Sequence, residues 1–158
     1  MSKGTPDRRG KPGPDLLSCA VTLEVRDRCL CLFLQRAARA AARRFDEALR
    51  PHGLTNGQFS LLMSLNRPLP AALGSVAGLL AMDRTTLTAN LKPLERRGLV
   101  RSLPDPADAR RRLLCLSLAG RRLLAKALPA WRQTEQAAER QLGEAEAARL
   151  RALLLLLS

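Results

Sequence analysis

The sequence is poor in residues that many enzymes and RNA-binding modules depend on. It has no tyrosine, one histidine, one tryptophan and three phenylalanines in 158 residues. Proteins that read single-stranded RNA commonly stack the bases on aromatic side chains, and this chain has few of them. It contains no glycine-rich phosphate loop, no nucleophile elbow and no nucleophile paired with His52. We therefore expect no enzyme, no cofactor and no metal centre.

Long apolar segments are also absent from the sequence. The leucine-rich stretch at residues 150–157 is far too short to span a bilayer. The N-terminus has charges and prolines, without the apolar run and cleavage site of a signal peptide. We expect a cytoplasmic protein with no membrane partner. The four cysteines are then expected to be thiols rather than a disulfide framework.

Basic residues, by contrast, are abundant. Lysine and arginine total 27 against 14 aspartates and glutamates, which gives a formal charge of +13. A charge of this size predicts attraction to a polyanion, without indicating sequence specificity. Residues 1–20 are read as a disordered basic tail. The hydrophobic share of 46% is enough for a core, in which leucine and alanine must do most of the packing.

The apolar spacing and the capping signals predict a mainly α protein with one small β-hairpin. Thr55 with Gln58 has the spacing of a capping box, Asp83 and Ser117 are expected N-caps, and Gly98 is expected to end a helix. The predicted elements are helices at about 23–50, 55–66, 72–80, 84–97, 118–141 and 144–157, and strands at 99–103 and 112–116. A polar loop is expected at 104–111.

Two helices joined by a tight turn and followed by a hairpin form a winged helix-turn-helix. If Leu87, Leu91 and Leu94 turn inward, the helix at 84–97 presents its other side to solvent. A helix fits the major groove of B-DNA, and an arginine-bearing hairpin suits the minor groove. The residues expected to contact DNA are Arg84, Thr85, Thr88 and Lys92 on the helix, and Arg110 and Arg111 on the hairpin.

Residues 82–88, 94–100 and 105–110 resemble the recognition helix and wing of the MarR family of regulators. Asp108 and Arg110 match the Asp-x-Arg element of that family's wing, and Thr86 falls within the matching helix. The resemblance therefore adds Thr86 and Asp108 to the expected DNA-binding residues. Further matching segments are 53–55, 58–59, 116–117 and 120–121. At Ala72 the sequence departs from the family, whose members often have a Thr or Ser cap there.

The resemblance implies a homodimer whose protomers each bind one half-site of a pseudo-palindromic operator in double-stranded DNA. Residues 21–158 are interpreted as one MarR-like domain, with dimerisation helices at 21–54 and 118–158 and the winged helix-turn-helix at 55–117. The leucines of the last helices support dimerisation independently, because they exceed what a thin winged helix can cover. The expected function is that of a repressor released by a small-molecule or thiol-reactive signal.

Cys29 and Cys31 are the candidate sensor residues. Cys31 falls near the reactive thiol of the family's hydroperoxide-sensing branch, but Gln35 and Phe45 stand where that branch uses tyrosines. On one continuous helix the two thiols would point to opposite sides, so neither joint chelation of a metal nor a mutual disulfide is expected. Both are alternatively small buried hydrophobes, as free cysteines often are.

The alternative function is that of a non-specific basic protein binding nucleic acid. That reading accounts for the charge, but it leaves the ordered succession of recognition helix and wing unexplained.

Overall fold

The computed structural model describes residues 17–157, except the side chains of residues 109 and 110. Within that part the elements are α1 (Cys19–Arg28), α2 (Leu30–Leu49), a 3-10 turn (Arg50–His52), α3 (Asn56–Ser64), β1 (Ala71–Ala72), α4 (Leu73–Leu79), α5 (Arg84–Arg96), β2 (Val100–Asp105), β3 (Asp108–Leu116), α6 (Leu118–Leu142) and α7 (Glu144–Leu155). The predicted tail at 1–20 lies mostly outside the described residues, and its last two residues begin α1.

The described part of the chain divides into two compact units, with the boundary between Ala40 and Ala41, inside α2. In the first unit, the predicted single helix from 23 to 50 is wrong, because Cys29 interrupts it. Cys29 has an extended backbone with ψ of 100°. Its Sγ accepts the Leu32 N–H at 3.4 Å, and its carbonyl accepts the Phe33 N–H at 3.2 Å. The thiol thus takes the place of an N-cap side chain at the start of α2.

The second unit is organised around a leucine-rich core. Leu49, Leu62 and Leu87 are fully buried, and α2, α3 and α5 each supply one of them. Trp131 on α6 stacks on Phe59 of α3, with ring centroids 6.0 Å apart. Phe45 meets the same indole at 6.4 Å. With few aromatics in the chain, these three rings supply bulk that leucine and alanine cannot.

Predicted helix caps are confirmed in this unit. The Thr55 hydroxyl accepts the Gln58 N–H at 3.2 Å, and the Gln58 amide oxygen accepts the Thr55 N–H at 3.2 Å, which completes the capping box. The Ser117 hydroxyl accepts the Gly120 N–H at 3.0 Å. Gly143 separates α6 from α7 with a φ of 88°. These local signals explain why the helix boundaries were accessible from sequence.

A three-stranded antiparallel sheet in the order β1–β3–β2 joins the helices. The short strand β1 was not predicted; its two alanines pair with Leu114 and Leu113 of β3. The predicted loop at 104–111 is also wrong in extent. Both strands continue through it, and only Pro106 and Ala107 form the turn. Asp105 stabilises that turn by accepting the Ala107 N–H at 2.9 Å.

Among residues 17–157, no helix is both long and apolar enough to cross a membrane. In the same part of the chain, no cluster of three His, Cys, Asp or Glu side chains could coordinate a metal ion.

Candidate nucleic-acid interface

Helix α5 is the central element of the candidate interface, and its ends are well defined. Asp83 caps it by accepting the Thr86 N–H at 2.8 Å. At the other end Gly98 has a φ of 67°, which a glycine adopts without strain. The Leu99 N–H then donates to the Leu94 carbonyl at 2.9 Å. These contacts fix where the helix begins and ends.

One face of α5 is buried and anchors it to the core. Leu87, Leu91 and Leu94 are at most 7% exposed, as predicted from their spacing. Helix α3 approaches closely at Gly57, where a side chain would meet the Asn90 amide at 3.0 Å. The helix passes Pro93 and continues to Arg96.

The opposite face of α5 is open to solvent. At 3.6 residues per turn, Thr85, Ala89 and Lys92 point away from the buried leucines, and all three are exposed. Ala89 was not predicted as a contact residue; its small side chain permits close approach to a base edge. The sequence signal that could have identified Ala89 is its position four residues after Thr85, which places both residues on the same side of the helix.

The remaining predicted residues of α5 lie at the edges of this face. Thr86 donates its hydroxyl to the Asp83 carboxylate at 2.7 Å, so that hydroxyl belongs to the helix cap. Thr88 is half-buried and donates its hydroxyl to the Arg84 carbonyl at 2.7 Å. Arg84, at the first position of the helix, borders a cleft that it shares with Arg111 and Arg112 of the β2–β3 hairpin.

The β2–β3 hairpin is the wing. Arg111 is exposed, and its Nε lies 3.3 Å from an Asp108 carboxylate oxygen. Asp108 is therefore placed to orient the Arg111 side chain near the tip of the hairpin. The side chain of Arg110, the other arginine predicted here, lies outside the described residues.

Arg112 is a further basic residue of the wing, opposite Pro104, and the sequence prediction did not include it. Its Nε donates to the Ser102 hydroxyl and its Nη2 to the Ser102 carbonyl, each at 2.9 Å. Arg112 also borders a cleft of about 430 Å³ with Arg84 and Arg111. The pairing of Arg112 with Ser102 depends on strand register, for which the sequence carries no local signal.

A mostly apolar cavity of about 370 Å³ lies apart from this basic surface. It is bordered by side chains of α3, α4 and α6 and by Leu80, which follows α4. The lining residues are Phe59, Ser60, Met63, Ser64, Leu79, Leu80 and Trp131.

The two candidate sensor thiols lie in the first unit. Cys29 is half-buried at the start of α2, and Cys31 is exposed within it. The Gln35 amide donates to the Cys31 Sγ at 3.3 Å. Since Cys29 precedes the helix, the premise that both thiols share one continuous helix is wrong. All four cysteines of the chain are free thiols in the structure.

The helix pair α4–α5 and the β2–β3 hairpin define a winged helix-turn-helix, and comparisons with known proteins agree. The sequence profile of the MarR family matches residues 54–111. A probable transcriptional regulator from Pseudomonas aeruginosa is 33% identical, with a TM-score of 0.76 over 84% of this chain and 98% of that one. The transcriptional regulator MosR of Mycobacterium tuberculosis, solved in complex with DNA, is 37% identical, with a TM-score of 0.74 over 82% and 92% of the two chains.

The chain belongs to the MarR family, as its resemblance predicted, and the predicted fold class is confirmed. These relatives are transcriptional regulators rather than enzymes. Among curated proteins, the transcriptional activatory protein BadR of Rhodopseudomonas palustris is 36% identical over 77 residues, which are 47% of this chain and 44% of BadR. The chain thus spans less than half the length of that relative.

Proposed function

We propose that the protein is a sequence-specific transcriptional regulator that binds double-stranded DNA through α5 and the wing. The observation that carries this proposal is the two-sided helix α5, with leucines buried on one face and Thr85, Ala89 and Lys92 exposed on the other. Such a helix can enter the major groove while Arg111, which is exposed near the tip of the wing, reaches the minor groove. The DNA complex of the relative MosR supports the same role here.

We further propose that it binds a pseudo-palindromic operator as a homodimer. Large apolar side chains are exposed at both ends of the described chain, on α1 and on α7. On α7, Leu153 is 50% exposed and Leu155 is 74% exposed. Apolar surface of this kind is typical of an interface. A two-fold symmetric dimer would present two copies of α5 to two half-sites of the DNA.

The test is selection of duplexes from a random pool by the full chain, followed by binding of threonine variants. Thr85→Ala and Thr88→Ala should accept more bases at one position of each half-site, with each lost contact costing about 1–3 kcal/mol of discrimination. Arg111→Ala should instead weaken binding to all duplexes. Thr134→Ala is the matched control, because the Thr134 hydroxyl makes the same bond to the carbonyl four residues earlier in α6. Unchanged base preference in both α5 variants would contradict the assigned reading face.

Repression follows from this proposal if the operator overlaps a promoter, since an occupying dimer excludes the polymerase. Transcription in vitro from a promoter carrying the selected duplex should fall as protein is added. An increase would instead indicate activation, the activity named for the relative BadR.

We propose the apolar cavity as the site of a small aromatic effector. The polar side-chain groups of its lining are the hydroxyls of Ser60 and Ser64 and the indole N–H of Trp131, whose ring is also available for stacking. Trp131 is the only tryptophan, so its fluorescence reports on the cavity directly. Phenol and salicylate should quench it and lower DNA affinity, and Leu79→Trp, at an exposed rim position, should reduce the effect on DNA binding. Full DNA affinity at saturating aromatic ligand would reject this site.

A thiol-reactive signal is the second proposed input. Cys29 caps α2, so an adduct on its Sγ removes that cap and favours fraying of the helix. Cys31 is exposed and open to the same reagents. DNA binding should be measured before and after hydroperoxide in wild type, Cys29→Ser and Cys31→Ser. Full affinity of treated wild type would leave both cysteines as structural residues.

A further inference from the structure

The cleft between the start of α5 and the wing is rich in positive charge. Its lining consists of Ala72, Leu73, Gly74, Arg84, Arg111 and Arg112, and includes no carboxylate. Arg111 has Asp108 beside it, whereas Arg84 has no ion-pair partner among the described residues. Like charges gathered in one cleft repel each other, and a bound anion relieves that repulsion.

Arg112 is held in place by the protein rather than free in solvent. Ser102 and Arg112 are diagonal neighbours on one face of the hairpin, because Ser102 pairs with Leu114 and Arg112 with Pro104. The two bonds to Ser102 use two of the five guanidinium donors. The other three stay available, in the planar arrangement that suits a phosphate group. A side chain fixed in this way has less rotamer entropy to lose on binding.

The geometry of DNA indicates which anion enters the cleft. The sugar–phosphate backbone separates the major groove from the adjacent minor groove. A protein with α5 in one groove and the tip of its wing in the other must therefore straddle that backbone. The cleft lies between these two elements, where the strand has to pass.

We propose that this cleft binds one backbone phosphate of each half-site, with Arg112 as the principal ligand and Ser102 as the residue that positions it. The inference rests on the proposed function, since it requires DNA on α5 and the wing. It adds two residues that neither the recognition helix nor the Asp-x-Arg element includes.

The first test compares arginine variants on the selected duplex and its scrambled version. Arg112→Ala should weaken binding to both duplexes to a similar degree, roughly tenfold per bound protomer. Phosphate contacts position the protein on the DNA but do not distinguish one base sequence from another. The slope of log K against log salt should become shallower by about 0.9 per protomer. Arg101→Ala removes the same charge from the opposite face of the hairpin, where Arg101 pairs with Cys115. It should leave the slope unchanged.

Two further variants separate contact from positioning. Ser102→Ala should weaken binding by roughly threefold with the salt slope retained, because the charge stays while one of the two bonds that orient it, the bond to the hydroxyl, is lost. Arg112→Lys should also retain the salt slope and lose affinity, since an ammonium group cannot reproduce the planar set of donors of a guanidinium. Both variants keep the test informative if Arg112→Ala folds poorly, which circular dichroism will reveal.

Ethylation of single phosphates in the selected duplex locates the contact. Wild type should lose affinity when one particular phosphate of a half-site is ethylated, and Arg112→Ala should no longer respond at that position. A wild-type slope in Arg112→Ala, or an equal loss of slope in Arg101→Ala, would overturn the cleft proposal while leaving the proposed function intact. Absence of any preference of wild type for the selected duplex is the separate result that overturns the proposed function itself.

Discussion

At the scale of single residues, Asp83 sets the start of the helix that is proposed to read DNA. Its carboxylate accepts the hydroxyl of Thr86 at 2.7 Å and the backbone N–H of Thr86 at 2.8 Å. The hydroxyl bond, followed by the backbone bond, lowers the pKa of Asp83 below its ordinary value. The charge also lies at the positive end of the α5 dipole, where an anion is favoured.

This lowered pKa predicts an acid dependence of stability. The contribution of ionised Asp83 is complete above the unfolded-state pKa of about 3.9 and is lost as the pH falls through the lower folded-state pKa. Asp83→Asn keeps a good cap that does not titrate. The melting temperature of wild type minus that of Asp83→Asn should therefore be constant near neutral pH and should decrease below about pH 4. A difference that stays constant down to pH 2 would contradict the assigned bond.

At the scale of elements, local signals were sufficient wherever a side chain acts on its own turn. Thr55, Asp83 and Ser117 cap helices as predicted, and Gly98 ends α5. Elements that depend on distant partners were missed. The strand β1 exists because Ala71 and Ala72 pair with β3, and alanine has little strand preference of its own.

In the candidate site, too, the features set by local sequence were predicted and those set by distant partners were missed. The exposed face of α5 follows from helical periodicity, so Thr85 and Lys92 were accessible from sequence. The two hydrogen bonds from Arg112 to Ser102 depend on the register of β2 against β3, which no local motif specifies. The break at Cys29 occurs without glycine or proline, so the continuous apolar pattern concealed it.

Three glycines are predicted to respond differently to substitution by alanine. In an exposed helix interior, Gly→Ala normally stabilises by up to about 1 kcal/mol, and Gly78→Ala on α4, with open space around it, should behave in this way. Gly120→Ala should instead destabilise by roughly 1–3 kcal/mol, because its methyl group would clash with the Leu99 carbonyl oxygen. Gly98→Ala should cost about 1 kcal/mol through backbone strain alone. Urea denaturation measures all three, and a stabilised Gly120→Ala would show that the α6–Leu99 contact is looser than described.

At the scale of the whole molecule, the exposed leucines of α7 predict that the chain does not remain a monomer. Leu153→Glu should shift the protein toward monomers, since burying one such side chain contributes about 1.5–3 kcal/mol and a symmetric dimer buries it twice. Ala145→Glu adds the same charge to an exposed position in the first turn of α7 and is the control. Sedimentation at several concentrations measures the change. A wild-type chain that is monomeric at micromolar concentration and still binds the selected duplex tightly would contradict the dimer.

This basic protein is proposed to recognise a DNA sequence, rather than merely to bind a polyanion through its charge of +13. The most direct measurement is a salt titration of wild type on the selected duplex and on a scrambled duplex of equal length. Both affinities should fall with salt, because phosphate contacts release counterions. Binding to the selected duplex should stay at least about 10³-fold tighter than binding to the scrambled one near physiological ionic strength. Two curves that coincide at every salt concentration would contradict it and leave a non-specific nucleic-acid-binding protein.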